Sequence, residues 1–249
     1  MFESEVSADV LRVRRPGTRW LSTGFAGGYE TADAAYNCTV TEGFARTDLS
    51  AYVAESRERA DFPEAGPAML TGVDLRHARR ARLDGVEVVA TAGVSNPAAL
   101  PMGGERATER EDSLGEESPR PGTVNLLVGT TRALSDGALA TLLATVVEAK
   151  TATLLAETGF TGTTSDAVVV GSDPSGELAA FAGSATPVGR SARVCVRDAV
   201  RASLDGRYGA AGGDRADGDG TGDAIPDSVA AAEHGTVSNG CATVSRVGE

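Results

Sequence analysis

Apolar residues recur along this chain in two rhythms, alternate positions in some stretches and a helical spacing in others. Residues 9–15 alternate as DVLRVRR, which turns Val10 or Leu11 and Val13 inward on a half-buried strand. Pro16-Gly17 signals a turn, so residues 19–23 around Trp20 are expected to form the second strand of a hairpin. Residues 24–28 (GFAGG) read as a flexible loop, and residues 37–40 as strand again. A surface helix is predicted over residues 49–59, capped by Asp48 or Thr47. Strands follow at 68–74 and 86–91, the second running into the turn AGVSNP at 92–97.

The most apolar part of the chain lies further on. Val124 to Val128 is a run of β-forming residues and reads as a buried strand. Ser135 then offers an N-cap, with Asp136 in the first turn of a long helix. From Ala138 to Ala156 nearly every residue is Ala, Leu, Val or Thr, which predicts a helix covered on several sides and without a solvent face. A strand at 167–170 and an amphipathic closing helix at 190–204 complete the set. The expected fold is α+β or α/β: one layered domain over residues 1–205, a mixed sheet around a long buried helix, its strand order not readable from sequence. Residues 101–121 have no apolar rhythm and read as a mobile acidic insertion, and residues 206–249 as a disordered acidic tail rich in Gly and Asp.

Charge narrows the function. A net charge of −12 argues against a nucleic-acid partner, which would demand clustered cations. Of the 23 basic residues every one is arginine except Lys150. An acid-rich, nearly lysine-free composition with 4% aromatics resembles that of extreme halophiles. Cys38, Cys195 and Cys241 are widely spaced and outline neither a zinc site nor a disulfide framework. The first ten residues, MFESEVSADV, lack the features of a signal peptide. No apolar run is expected to span a membrane, because Glu148 and Lys150 interrupt the best one. A cytoplasmic protein without a membrane partner is the expectation.

Those two charges are also the first candidates for chemistry, since an ion inside an apolar helix needs a partner. Two residues apart, they sit about 200° apart round a helix axis and therefore face different neighbours. At most one is expected to reach a substrate, while the other ties the helix to a loop. The loop TGTTSD at 161–166 offers Thr163, Thr164 and Asp166 to bind amide groups or to hold a lysine. In the turn at 92–97, Gly93, Ser95 and Asn96 present short polar groups and backbone amides at one end of a sheet. His77 lies among arginines and reads as a solvated histidine.

Four motifs together, TAGVSN at 91–96, GTVNLLV at 122–128, the run LSDGAL…TVVEAKTATL at 134–154 and TGTTSDAVVV at 161–170, resemble the adenosylcobinamide amidohydrolases. These are corrinoid-salvage enzymes of archaea and some bacteria, and the resemblance extends over roughly residues 10–204. Val147 and Ser165 depart from it, standing where a threonine and a glycine are expected, and neither change removes an ionisable group. The resemblance implies hydrolysis of the amide between aminopropanol and the corrin side chain of adenosylcobinamide. Cobalt and the adenosyl group would then arrive with the substrate, with no resident metal or cofactor. Lys150 or Glu148 becomes the proton-transfer group and Asp166 its orienter. Ser95, Asn96 and the Gly93 backbone would hold the amide or its oxyanion, with Thr123 and Asn125 lining the same end and Thr163 and Thr164 beside them. Two rivals stay open: a corrinoid-binding protein without turnover, and a smaller-substrate amidase or acyltransferase in which Ser95 or Thr123 attacks.

Overall fold

A computed structural model describes residues 1–41, 43–102, 122–209, 224–232 and 235–238. In chain order the first elements are β1 (Glu3–Ser7), β2 (Val10–Ser22), β3 (Gly28–Thr39), α1 (Leu49–Arg59) and β4 (Ala68–Thr71). After a 3₁₀ turn at Leu75–His77 come β5 (Arg79–Leu83), β6 (Val86–Ala92) and β7 (Pro97–Ala99). Next are β8 (Val124–Thr130), β9 (Ala133–Leu134), α2 (Asp136–Thr158), β10 (Gly162–Thr163) and β11 (Ala167–Ser172). The last are β12 (Leu178–Ala179), α3 (Pro187–Tyr208) and β13 (Thr236–Val237).

One mixed sheet carries the order β4-β3-β2-β11-β8-β6-β5, with β1 paired to β2. The expected hairpin at Pro16-Gly17 is absent, because β2 continues through it as a single 13-residue strand. Its register with β3 slips between Arg14 and Thr18, where Pro16 brings no N–H to a ladder and Gly17 takes φ +69°. The Gly17 amide is taken up by Asp33 Oδ1 at 2.8 Å. Beyond this bulge the strand changes company: residues before it pair with β1, and residues 19–22 pair with β11.

The bulge lets the sheet fold over itself, and three apolar clusters mark the resulting layers. Even-numbered residues of β3 (Ala34, Tyr36, Cys38) pack with Val53 of α1. Ala35 on the opposite face joins Trp20, Met69, Val89, Leu127 and Val169 between the two halves of the sheet. Val88 and Ala90 of β6, Leu126 and Val128 of β8, and Val168 and Val170 of β11 face α2 and α3. The order is therefore α1, half-sheet, half-sheet, then α2 with α3. Strand alternation alone assigns each side chain to its layer.

The helices confirm most local readings and correct three, the first being the cap of α1, where Asp48 pairs with Arg46 and makes no capping bond. Ser135 Oγ caps α2 through the Ala138 amide at 3.2 Å, and Gly159 closes it in the left-handed region at φ +77°. A solvent face was not expected on α2, yet Ala140, Ala144, Glu148, Ala152 and Ala156 form an exposed stripe at intervals of four. Alanine is apolar by count but too small to demand cover, so the composition hid the face. By length and apolarity α2 also meets the measure of a membrane span, contrary to expectation; here half of its most apolar stretch is buried inside the fold.

α3 runs on to Tyr208, and of the tail beyond it residues 210–223, 233–234 and 239–249 lie outside the described residues. Thr236 and Val237 pair in parallel with Ala98 and Ala99 of β7, so backbone hydrogen bonding captures a stretch with little apolar side chain to offer. The acidic insertion falls, from residue 103 onward, outside the described residues.

The middle layer tolerates no extra atoms at its aromatic contacts. Trp20 is fully buried, and its indole donates to the Ala32 carbonyl at 3.0 Å. Phe2 meets it edge-on with centroids 5.7 Å apart. Gly171 lies opposite Trp20 in the strand register, and a Cβ there would stand 2.4 Å from the indole ring. Gly171→Ala is expected to destabilise the fold by about 1–3 kcal/mol, read as a lower denaturation midpoint at unchanged slope.

Candidate active site

The start of β8, the end of β6 and the start of β11 lie at one edge of the sheet, because β8 runs parallel to β11 and antiparallel to β6. Three connections meet there: the turn after β6, the residues leading into β8, and the loop between α2 and β11. Asp166 is the last residue before β11. Its carboxylate accepts the Val124 amide at 2.8 Å, the Thr163 amide at 3.1 Å and the Thr163 hydroxyl. The ammonium of Lys150 completes the set by donating to Asp166 Oδ2. Both side chains are nearly buried, at 8% and 10% exposure. Gly162 leaves room for this pair, since a Cβ there would lie 2.9 Å from Asp166 Oδ2. A buried ion pair repays its desolvation only when its remaining hydrogen-bonding capacity is filled, and three further donors on Asp166 do this.

Beside the pair opens a cleft of about 470 Å³, bordered by Asn96, Thr123, Thr164 and Asp166 on its polar side and by Phe25, Phe44 and Met69 among others on its apolar side. Below it, between the half-sheets, runs a buried polar ladder. Asn125 donates to Asn37 Oδ1 at 3.0 Å and to the Leu70 carbonyl at 2.8 Å, and Asn37 donates to Thr91 Oγ1 at 2.9 Å. Asn125 Oδ1 in turn accepts the Ala167 amide at 3.1 Å. The hydroxyls of Thr71 and Thr123 lie 3.0 Å apart. The ladder fixes β3, β4, β6, β8 and β11 to one another just under the cleft. Asn37, Thr71 and Thr91 are absent from the sequence reading; the available signal was a polar residue at an inward position of each apolar strand.

Most predicted residues converge here; Gly93, Ser95 and Glu148 do not border the cleft. Asn96, Thr123, Thr164 and Asp166 border the cleft, Lys150 and Thr163 hold the carboxylate, and Asn125 braces the floor. The Thr164 amide donates to the Asn96 carbonyl at 3.1 Å and zips two of the loops together. Ser95 packs on Gly122, where a Cβ would lie 2.5 Å from its Oγ. Gly93 does not border the cleft: its amide is given to the Thr123 carbonyl at 3.0 Å, and Arg207 lies over its Cα. Glu148 lies away from the cleft, in the exposed alanine stripe, and pairs with Arg193 of α3. It ties helix to helix, where a tie to a loop was expected.

Burial pushes the Cys38 thiol up to about 12 and the Cys195 thiol up to about 11, so neither supplies a thiolate near neutral pH. His77 is half-buried rather than fully solvated, and desolvation, aided by Arg76, lowers its basicity. It is not among the groups bordering the cleft. The site is thus one ammonium, one carboxylate and a set of neutral hydroxyl and amide groups beside an apolar wall.

A family model described as adenosylcobinamide amidohydrolase matches residues 2–212. The chain belongs to this family. Among adenosylcobinamide amidohydrolases, one from Halobacterium salinarum is 50% identical over 248 residues, covering 99% of this chain and all of the relative. Its source agrees with the acid-rich, lysine-poor composition. One from Methanosarcina mazei is 26% identical over 196 residues, 74% of this chain and 89% of the relative. Solved structures resemble the fold at a lower level. A Pyrococcus horikoshii protein is 13% identical at a TM-score of 0.38, covering 81% of this chain and 78% of its own. An L-aminopeptidase D-Ala-esterase/amidase from Ochrobactrum anthropi is 10% identical at a TM-score of 0.36, covering 82% and 83%.

Breaking the pair from one side leaves an ammonium with no counter-charge. Asp166→Asn is expected to cost about 3–5 kcal/mol in a denaturant melt. Glu148→Gln, which breaks an exposed pair, is expected to cost less than about 1 kcal/mol in the same measurement.

Proposed function

We propose that the Lys150–Asp166 pair is the catalytic centre for hydrolysing the amide that joins aminopropanol to the corrin side chain of adenosylcobinamide, releasing adenosylcobyric acid. Family membership supports the reaction. One observation carries its location: the chain's single ammonium side chain is buried against a fully engaged carboxylate at the polar end of the cleft.

Hydrolysis adds water across the C–N bond, the hydroxyl going to the carbonyl carbon and a proton to the leaving nitrogen. Lys150 Nζ moves the proton from the attacking water to the departing amine. Asp166 orients Nζ and balances its charge while it is protonated. Held by Val124 and Thr163, the carboxylate is positioned before substrate arrives, so no reorganisation accompanies the step. Thr123 and Asn96 face the cleft where the carbonyl oxygen would gain negative charge, and both replace Gly93 as its stabilisers. In this reading cobalt and the adenosyl group belong to the substrate, and the protein's part is to place water, base and oxyanion donors.

Purified protein incubated with adenosylcobinamide in concentrated KCl is expected to yield aminopropanol and adenosylcobyric acid by liquid chromatography and mass spectrometry. Lys150→Met keeps the bulk of the side chain and leaves Asp166 its other three donors. It is expected to lose at least about 10²–10⁴-fold in kcat while retaining a native circular dichroism spectrum. Wild-type turnover by this variant would remove Lys150 from the mechanism.

A further inference from the structure

The cleft is small for the proposed substrate. Pockets that enclose drug-sized ligands run to about 300–1,000 Å³, and a corrinoid bearing an adenosyl group is several times larger than such ligands. At about 470 Å³ the cleft has room for the amide-bearing arm of the macrocycle but not for the whole corrinoid. The surface at its mouth then decides how the ring is held.

Two phenylalanines stand there on opposite supports. Phe25 is 42% exposed and, with Phe181, is one of the two exposed phenylalanines among the described residues. Its loop is tight: a Cβ on Gly24 would lie 2.5 Å from the Ala68 carbonyl oxygen, and one on Gly27 would lie 2.4 Å from that of Ser22. The loop is also pinned beside the catalytic carboxylate. Thr23 donates its amide to the Val168 carbonyl at 3.0 Å and accepts the Val168 amide on its hydroxyl at 2.9 Å, two residues from Asp166. Phe44 is braced from behind by Tyr52 of α1, edge-on with centroids 4.8 Å apart, and Tyr52 is fixed by its hydroxyl to the Thr39 carbonyl at 2.8 Å. Both rings border the same cleft as Asp166. An exposed ring on a rigid support loses little entropy when a flat apolar partner covers it.

We infer that Phe25 and Phe44 form the platform on which the corrin macrocycle rests while its arm reaches the Lys150–Asp166 pair. The inference rests on the proposed function and adds the residues that select for a macrocycle over a small amide. These are positioning residues, since they touch the part of the substrate that does not react. Their binding energy sets how often the arm is presented to the base, and so acts on KM more than on kcat.

Steady-state kinetics and equilibrium dialysis with the coloured corrinoids test it. Phe25→Ala is expected to raise KM for adenosylcobinamide about tenfold with kcat within about twofold, and to weaken inhibition by adenosylcobyric acid, which keeps the ring, by the same factor. Phe25→Trp restores both. Phe44→Ala follows the same pattern, with a thermal melt alongside because it also loses its contact with Tyr52. Unchanged KM and product inhibition in Phe25→Ala, with wild-type turnover normal, would overturn the platform and leave the catalytic assignment standing. Should the wild type fail to turn over, the function is wrong. Dialysis then judges the platform alone: about tenfold weaker cobinamide binding to Phe25→Ala upholds it, and equal binding overturns it.

Discussion

Burying Lys150 against Asp166 is the constraint around which the active edge of this protein is built. An ammonium taken out of water loses several kcal/mol of hydration, and one carboxylate returns that only if its own lone pairs are satisfied. The amide at the start of β8 and the amide and hydroxyl of Thr163 satisfy them. These donors come from two different pieces of chain, the start of β8 and the loop before β11, and Lys150 comes from a third, α2. The ion pair therefore sets the approach of α2 to the loop before β11, and of that loop to β8. Gly162 has no side chain because the pair occupies the space.

The rest of the fold brings those pieces to one edge. The bulge at Pro16-Gly17 lets a single strand serve both halves of the sheet, so that β3 comes to lie over β6 and β8. Between them the polar ladder from Thr91 through Asn37 to Asn125 replaces what would otherwise be more apolar core. Fully bonded buried amides fix one register, because sliding any strand would leave them unpaired. Among the described residues every other ion pair involves an arginine at a partly or fully exposed position. In concentrated salt, where the screening length falls to about 3 Å at 1 M, those exposed pairs weaken far more than the buried one.

Much of this was legible in the sequence. Strand and helix identities around β6, β8, α1, α2 and β11 follow from periodicity, and Lys150 stands out in the sequence as the only lysine. Asp166 was readable as its partner, since a hydroxyl-rich loop with an acid can hold a cation. The rest needed three dimensions. Glu148 and Lys150 look equivalent in a run of apolar residues, and only the exposed alanine stripe separates them. Pro16-Gly17 carries the chemistry of a turn and of a bulge alike, and the pairing partners on either side decide between the two. Gly93 has the right composition for an oxyanion donor, but its amide is committed to a neighbouring strand. The ladder was invisible because it joins residues 37, 71, 91, 123 and 125 through contacts far apart in sequence.

The rarity of lysine has a further consequence, outside catalysis. The chain contains one ε-amine, and in the folded state that amine lies beneath the cleft with 8% of its side chain in contact with solvent. Acylating reagents that decorate most proteins at many exposed lysines therefore meet no accessible lysine on this one. When the loop before β11 opens, the same amine becomes reachable, and its modification counts opening events at a single, known position. The residue that the proposed chemistry depends on is at once a natural tag for the local unfolding of its own site.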